Sequence, residues 1–398
     1  MFSKKTVILG VSASIAAYKA CEIASLLVKA GADVHVIMTK NALNLISPVT
    51  FETLTGNRCL TDTFDRDFEF DVKHVSLAKK ASLFVIAPAT ANVIAKVANG
   101  LADDMLTTTF LASRCPKIIA PAMNTAMLEN PVTVENIEKC RRFGIKIVES
   151  ASGRLACGDT GKGKLAEPQT IVRFIEHEIR FEKDLAGKKV LVTAGPTVEE
   201  IDPVRFITNR SSGKMGFALA KTAADRGADV TLVTGPVFLK DDAFVNTVHV
   251  SSAEEMFSKV KQFSEQADII IKAAAVADYT PALRSEQKIK KSDSDLTLEL
   301  KRTDDILLWL GNHKKEKQFL CGFAMETEEL LENAQKKLLK KNADMICANS
   351  ICEQGAGFGT DTNRITLIKK DGMEELPLLS KEEAAYKILS RCAGISEE

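Results

Sequence analysis

The sequence predicts an α/β protein built from two doubly wound, Rossmann-like, three-layer domains. Three observations carry that prediction. At 398 residues the chain exceeds the usual domain size of about 100 to 200 residues, so two cores are expected. A strand, turn, helix, strand pattern opens the chain, and the same pattern returns in mid-chain. The two copies also share a joint, Gly31-Ala32-Asp33-Val34 in the first and Gly227-Ala228-Asp229-Val230 in the second.

Taken in order, Thr6 to Leu9 is an apolar run that reads as a buried strand, Gly10 to Ser14 is a turn of small residues, and Ile15 to Ala30 has helical periodicity. Gly31 ends the helix, and Asp33 to Met38 begins a second strand. In the second copy, Lys189 to Thr193 is the strand, Ser211 to Arg226 the turn and helix, and Val230 to Val233 the next strand. Each copy implies a parallel sheet with its ligand at the carboxyl ends of the strands. Between them, Phe174 to Lys188 is charged and helical in pattern and ends at Gly187, which suits a connector and puts the domains at residues 1–185 and 186–398. Lys4 and Lys5 before the apolar stretch Thr6 to Ala17 imitate a secretory signal, but Lys19 and Glu22 follow at once and the pattern recurs in mid-chain.

Composition narrows the function. Lysine plus arginine and aspartate plus glutamate both total 53, so no global field favours nucleic acid or an anionic membrane, and any anion site must be built locally. No apolar run reaches the roughly 18 residues of a membrane span. The nine cysteines show neither CxxC pairs nor zinc-ligand spacing, which points to reduced thiols in a cytoplasmic setting, most of them filling cores.

The first turn lacks GxGxxG, and the second strand runs into Thr39 and Lys40 instead of an acidic ribose ligand. A helix N-terminus carrying two hydroxyls, Ser12 and Ser14, suits a single phosphate and hence a mononucleotide, and equally suits two helix caps. Phe84 to Ala89 reads as a strand opening into the polar loop Thr90-Ala91-Asn92, and Ile118 to Asn124 repeats the arrangement. With GVSASIAAYK at 10–19 and ACGDTGKGKLAEP at 156–168, these four segments resemble the homo-oligomeric flavin-containing cysteine decarboxylases over roughly residues 1 to 180. The resemblance implies a flavodoxin-like domain holding FMN, with Gly10, Ser12 and Ser14 near its phosphate and Thr39, Pro88, Thr90 and Asn92 near its ring or ribityl chain. It also implies His74 as base, Asn124 as ligand of the substrate carboxylate and Cys157 as proton donor on a mobile flap. One departure stands out: Leu128 follows Met127 where relatives often carry tryptophan.

The chemistry suits those roles. Removing CO2 from a cysteine carboxylate needs an electron sink, which a flavin supplies by first oxidising the CH2–SH group. Cys157, among Gly158, Gly161 and Gly163, is placed to return a proton. The GxxGxG spacing there is not a Rossmann fingerprint, because no strand is expected before it. Seen alone, His74 reads as a surface or core histidine, Asn124 as a turn residue and Cys157 as a buried thiol.

Residues 193–220, TAGPTVEEIDPVRFITNRSSGKMGFALA, carry the strongest signal of the second domain. A Walker A reading fails, since Met215 follows Gly213-Lys214 and Thr208 stands where glycine is needed. Ser211, Ser212 and Gly213 at a helix start instead make a phosphate nest of backbone N–H groups, with Asn209 just before it. Together with KAAAVADY at 272–279, QKIKK at 287–291 and GFAMET at 322–327, this segment resembles the phosphopantothenoylcysteine synthetases to about residue 390. By position the resemblance places nucleotide contacts on Ala273, Ala274, Asp278, Lys288, Asp305, Ile306, Phe323, Lys337 and Lys341, with Asn209 and Lys288 acting on the acyl nucleotide. Thr303-Asp304-Asp305-Ile306 replaces the usual NPDI.

Activating a carboxylate by nucleotidyl transfer builds negative charge at the α-phosphate, which Lys288, Lys290 and Lys291 suit and Mg2+ would bridge. A KxKK run is also what a solvated loop looks like, and Lys337 with Lys341 is also what a solvated helix face looks like.

The two resemblances together imply the bifunctional coenzyme A biosynthesis family. Its substrates would be 4'-phosphopantothenate, L-cysteine and CTP, and its cofactors FMN and Mg2+. It would form a homo-oligomer with trimeric flavin domains and dimeric ligase domains. Two alternatives remain at this level: a flavin decarboxylase or prenyltransferase for another acid, which the fused ligase motifs disfavour, and a nonenzymatic flavin-binding subunit, which intact His74, Asn124 and Cys157 disfavour.

Overall fold

The computed structural model describes residues 2, 5–63, 73–154, 158, 160–290, 296–326, 330–350 and 360–395. It divides into two compact units, Met1–Phe181 and Glu182–Glu398.

In the first unit, β1 (Thr6–Val11), β2 (Asp33–Met38), β3 (Leu83–Ala89), β4 (Lys117–Pro121) and β5 (Lys146–Ile147) form a parallel sheet in the order β2-β1-β3-β4-β5. This is a doubly wound order whose switch point lies between β1 and β3. Strand residues alternate between two cores. Val7, Leu9, Val85 and Ala87 pack with Ile23 and Leu27 of the helix Lys19–Lys29 and Ile171 and Ile175 of the helix Pro168–Ile179. Ile8, Phe84 and Ile86 pack with Val93 and Ile94 of the helix Ala91–Asn99 and Leu106 and Phe110 of the helix Met105–Ala112. Helices thus cover both faces, giving three layers.

Three expectations need correction here. The helix expected from Ile15 opens as a 3-10 turn, Ile15–Tyr18, capped by Ser14, before the α-helix Lys19–Lys29 begins. The connector expected from Phe174 to Lys188 is instead the end of the core helix Pro168–Ile179, whose Ile171, Ile175 and Ile179 are buried on one face at the i, i+4 spacing. A strand does precede the GxxGxG segment: β6 (Ala151–Arg154) and β7 (Thr160–Lys164) form an antiparallel hairpin, so the segment is still no dinucleotide fingerprint.

The second unit has an eight-stranded sheet. In chain order its pieces are β8 (Lys189–Ala194), the small hairpin of β9 (Val198–Glu200) with β10 (Phe206–Thr208), β11 (Asp229–Thr234), β12 (Asn246–His249), β13 (Ile269–Lys272), the pair β14 (Tyr279–Pro281) with β15 (Leu300–Arg302), β16 (Phe319–Glu326), β17 (Met345–Ser350), β18 (Thr362–Asn363), β19 (Ile365–Lys369) and β20 (Gly372–Glu375). The main sheet runs β12-β11-β8-β13-β16-β17-β19-β20. β19 pairs antiparallel with both β17 and β20, a departure from the parallel sheet expected; the short turn from Lys369 to Gly372 can only reverse the chain between β19 and β20.

Val190 and Val192 face the helices Lys214–Asp225 and Lys381–Ala393, whereas Leu191 and Ile270 face Ala253–Ser264, Ile306–His313 and Leu330–Lys340. The joints read as matching are matched in backbone: Gly31 has φ 89° and Gly227 φ 91°, a left-handed conformation that favours glycine.

Candidate active sites

At the switch point of the first unit, the ends of β1 and β3 are clasped by Ser12. Its buried hydroxyl donates to Pro88 O at 2.8 Å and accepts from the Thr90 N–H at 3.0 Å. Ser14 Oγ accepts from the Ala16 N–H at 3.4 Å, and Thr90 Oγ1 accepts from the Val93 N–H at 3.5 Å, each capping the turn or helix that follows. The cap reading therefore holds for Ser14, while Ser12 joins two strands. Gly10 answers to packing: a Cβ there would meet Leu106 Cδ1 at 3.0 Å and Phe84 Cε2 at 3.3 Å.

Thr39, at the end of β2, has a buried hydroxyl with no hydrogen-bond partner, although its N–H donates to Val11 O at 3.0 Å. Buried polar atoms are normally satisfied, so this orphan is the atom in the group that most needs a ligand. Pro88 follows a cis peptide bond, and Asn92 is exposed on the first turn of its helix.

Asn124 caps the short helix Thr125–Leu128, its Oδ1 accepting from the Ala126 N–H at 2.9 Å. The β6-β7 hairpin lies directly on this corner: the Met123 N–H donates to Gly163 O at 3.0 Å and Thr125 Oγ1 donates to Lys162 O at 2.6 Å. A Cβ at Gly163 would come within 2.2 Å of Met123 O, and one at Gly161 within 2.5 Å of Thr125 Oγ1. Those two glycines therefore serve close approach rather than mobility; Gly158, with φ 94° and open space around it, is the turn glycine. Cys157 lies outside the described residues. His74 stands half-buried on the helix Lys73–Lys80. Leu128 borders a groove of about 410 Å³ with Pro121, Ile137 and Lys162.

The second unit gathers its residues more tightly. Gly213, at φ 75°, is the N-cap of the helix Lys214–Asp225 and makes no side-chain cap bond, and a helix start of this kind is suited to an anion. Ser211, Ser212 and Gly213 line a cavity of about 240 Å³ with Ala273, Ala274, Asp278, Phe323 and Lys337. An adjoining cavity of about 570 Å³ is lined by Asp305, Ile306 and Lys341, and shares Lys272, Val276, Asp278, Phe323 and Lys337 with the first. Of the expected nucleotide residues, all but Lys288 thus border these two spaces.

Lys337 and Lys341 do not form a solvated helix face. Lys337 Nζ donates to Phe323 O at 2.9 Å, and Lys341, just past its helix, pairs with Asp305. Burial works against a charge on Asp305, yet Lys341 and the Leu308 N–H hold its carboxyl below the usual range. Thr303 donates from its hydroxyl to Ala277 O at 2.6 Å and from its N–H to Asp278 O at 3.0 Å, which ties the loop to the segment after β13.

Asn209 and Lys288 border neither cavity. Asn209 Nδ2 donates to Ala275 O at 3.0 Å, which ties it to a residue of the first cavity's wall. Lys288 is exposed, on a loop anchored where Asp202 accepts from the Ile289 N–H at 3.2 Å and Arg205 donates to Ile289 O at 2.8 Å. Arg205 pairs with Asp202 in turn and holds that carboxyl far below its ordinary pKa. Lys290 is exposed on the same loop, and Lys291 lies outside the described residues.

Several residues at this site escaped sequence reasoning. Lys272 ends β13 and lines both cavities; burial, then repulsion from Lys337, pulls its pKa down to about 8. An ionisable residue closing the apolar run Ile269-Ile270-Ile271 was the available signal. Asn349 and Asn363 are buried in the first cavity's wall with unpartnered Oδ1 atoms, and buried Lys381 lines it too, donating to Thr360 O. Among the described residues no group of three or more His, Cys, Asp or Glu side chains could hold a metal ion.

Two family models match the chain: one described as flavoprotein over residues 1–180, and one described as DNA/pantothenate metabolism flavoprotein C-terminal domain over residues 185–395. The chain is similar to the coenzyme A biosynthesis bifunctional protein CoaBC of Bacillus subtilis, 48% identical over 402 residues covering 100% of this chain and 99% of the relative. A protein of the same name from Vibrio cholerae is 46% identical over 387 residues, covering 97% of each. Among solved structures, the C-terminal domain of a CoaBC protein is 48% identical with a TM-score of 0.45, over 53% of this chain and 96% of that one.

Proposed function

The chain belongs to the family of coenzyme A biosynthesis bifunctional proteins, and from that premise we infer how its two units divide the chemistry. It is both a phosphopantothenoylcysteine decarboxylase and a phosphopantothenate–cysteine ligase. Residues 1–185 carry the decarboxylase and residues 186–398 the ligase. The observation that carries the ligase assignment is the convergence of the Ser211-Ser212-Gly213 nest with Ala273, Ala274, Asp278, Phe323 and Lys337 on one cavity.

In ligation, a carboxylate oxygen of 4'-phosphopantothenate attacks the α-phosphorus of CTP, the bond to the β-phosphate breaks, and pyrophosphate leaves. The cysteine amine then attacks the acyl carbon, loses a proton and expels CMP. The nest and the start of the helix Lys214–Asp225 hold phosphate oxygens. Lys341 and Lys337 add positive charge, and Lys288 approaches the α-phosphate from its loop. Asp278, the carboxylate that borders both cavities, would hold a Mg2+ ion brought in by the triphosphate, which would offset phosphate charge; such ions commonly take only one or two protein carboxylates beside the phosphates. Asn209, fixed on Ala275 O, presents a neutral neighbour to the acyl centre.

In decarboxylation, FMN supplies, when bound, the two-electron chemistry that makes the cysteinyl carbon an electron sink. The residues present fit it: Thr39 offers an unpartnered buried hydroxyl, and Ser14, Thr90 and Asn92 edge the same strand ends. Pro88 and Ser12 fix the backbone there. His74 removes a proton from substrate, Asn124 holds the carboxylate that leaves as CO2, and Cys157 returns a proton at the end. The chain works as a homo-oligomer of trimeric flavin and dimeric ligase domains, a reading supported by exposed apolar side chains such as Ile15 at 66% and Tyr18 at 64% exposure. No described helix is long and apolar enough to cross a membrane, and a reducing cytoplasm suits thiols that are unpaired in the described structure.

Variants separate the ligase steps. With 4'-phosphopantothenate, Mg2+ and labelled CTP, Lys288→Gln should release little pyrophosphate, whereas Asn209→Asp should form the acyl-cytidylate and then fail to pass it to cysteine, an accumulation of intermediate. Normal intermediate formation by Lys288→Gln, or product at the native rate from Asn209→Asp, would refute this division.

A further inference from the structure

Lys272 stands where the two cavities of the ligase unit meet. One cavity begins at the phosphate nest, the other ends at Asp305 and Ile306, and the Lys272 side chain lines both. An ammonium has three N–H donors. Among the described residues its hydrogen-bond partner is one neutral oxygen, Ala274 O at 3.0 Å. Ala274 is itself fixed, its N–H donating to Thr193 Oγ1 at 3.1 Å.

The surrounding charges do not settle the ammonium. Lys337 and Lys341 repel it, Asp278 and Asp305 attract it, and Asp305 is already paired with Lys341. Arg302, Asp304 and Lys340 line the outer cavity, Lys214 and Lys381 the nest cavity, so cationic side chains outnumber carboxylates among the described lining residues. Burying an ammonium among like charges is unfavourable unless an anion joins it. Its depressed proton affinity, down to about 8, is the mark of that arrangement.

We propose that Lys272 is a nucleotide-binding residue, whose two remaining N–H donors take phosphate oxygens where the polyphosphate of a nucleoside triphosphate meets its ribose. The position follows from the two cavities: phosphates seated on the nest and a nucleoside beside Asp305, Ile306 and Phe323 must be joined past Lys272. This rests on the nucleotide reading of the ligase unit.

The test is calorimetric titration of CTP with Mg2+ into the full-length protein and into Lys272→Met, which keeps the apolar stem and removes the charge. The dissociation constant should rise about 10- to 100-fold in the variant, the loss expected for charged hydrogen bonds. A second readout separates contact from mere support. In the native protein CTP affinity should be full below the ammonium's pKa and fall as pH rises through about 8, and this fall should be missing from Lys272→Met. Lys381, also lowered by burial, titrates in both proteins, so the difference between profiles belongs to Lys272. Equal CTP affinity in native and variant protein, or a native affinity that does not change from about pH 7 to about pH 9, overturns the proposal. Should Lys272→Met fail to fold, Lys272→Gln takes its place in the same comparison of affinities and pH profiles. A native chain that binds no CTP would remove the nucleotide reading, and this proposal with it.

Discussion

Both units gather candidate site residues around the carboxyl ends of parallel strands, yet they equip that region in opposite ways. In the ligase unit charge turns inward around those ends: Lys272 at the end of β13, and Lys337 and Lys341 at the end of the helix Leu330–Lys340, line cavities that one chain encloses. In the flavoprotein unit the strand ends carry small hydroxyls, most of them bonded to nearby backbone, beside apolar side chains left exposed. The contrast teaches that a shared scaffold sets where ligands bind, while the residues at the strand ends set what binds. A polyphosphate needs walled-in cations. A flat mononucleotide needs hydrogen-bonding edges and apolar cover.

Substitutions at close approaches should break each side of that contrast selectively. The largest effect is expected for Gly163→Ala, which adds a Cβ within 2.2 Å of Met123 O at a φ of 122°. Strain and overlap together should cost roughly 3 kcal/mol of stability and lift the hairpin from the Asn124 corner. Thermal melting should show a clear loss, and decarboxylation should fall further than ligation; equal losses in both activities would argue that the hairpin does not belong to the decarboxylase site.

Gly311→Ala tests the other unit. Its new Cβ would come within 1.8 Å of Lys341 O, so the helix Ile306–His313 and the Asp305–Lys341 pair must separate. We expect a stability loss of about 1–3 kcal/mol and a several-fold rise in KM for CTP with decarboxylation of supplied 4'-phosphopantothenoylcysteine unaffected. An unchanged KM would show that the outer cavity is not a nucleotide seat. The smallest effect should come from Thr39→Val. Removing a buried, unpartnered hydroxyl should leave the flavin-free protein as stable or about 1 kcal/mol more stable, while FMN affinity, read from fluorescence quenching, falls about tenfold. Lower stability without weaker flavin binding would assign that hydroxyl to the fold instead.

Much of this was legible in the sequence. The strands Thr6–Val11, Asp33–Met38, Lys189–Ala194 and Asp229–Thr234 follow from apolar runs and glycine joints, and most ligase residues fell on the cavity walls. The β6-β7 hairpin was not legible, because Ala151–Arg154 and Thr160–Lys164 lack apolar alternation and hold their place through glycine contacts with a distant corner. Phe174 to Lys188 misled because its charges hide the Ile171, Ile175, Ile179 stripe that runs in from upstream. Lys272, Asn349 and Asn363 were missed for one reason: a lone polar residue in or beside an apolar strand is read as surface, and only the cavity reveals where it points.

The central claim is that one chain carries two separable active sites used in sequence, and carboxyl-labelled cysteine tests it directly. Supplied with 4'-phosphopantothenate, CTP, Mg2+, FMN and that cysteine, the native protein should release labelled CO2 and pyrophosphate in equal amounts. His74→Asn should release pyrophosphate at the native rate, with CO2 reduced by about a hundredfold or more, the scale of losing a general base. Labelled CO2 from His74→Asn at the native rate, or release of CO2 by the native chain without nucleotide being consumed, would contradict the account.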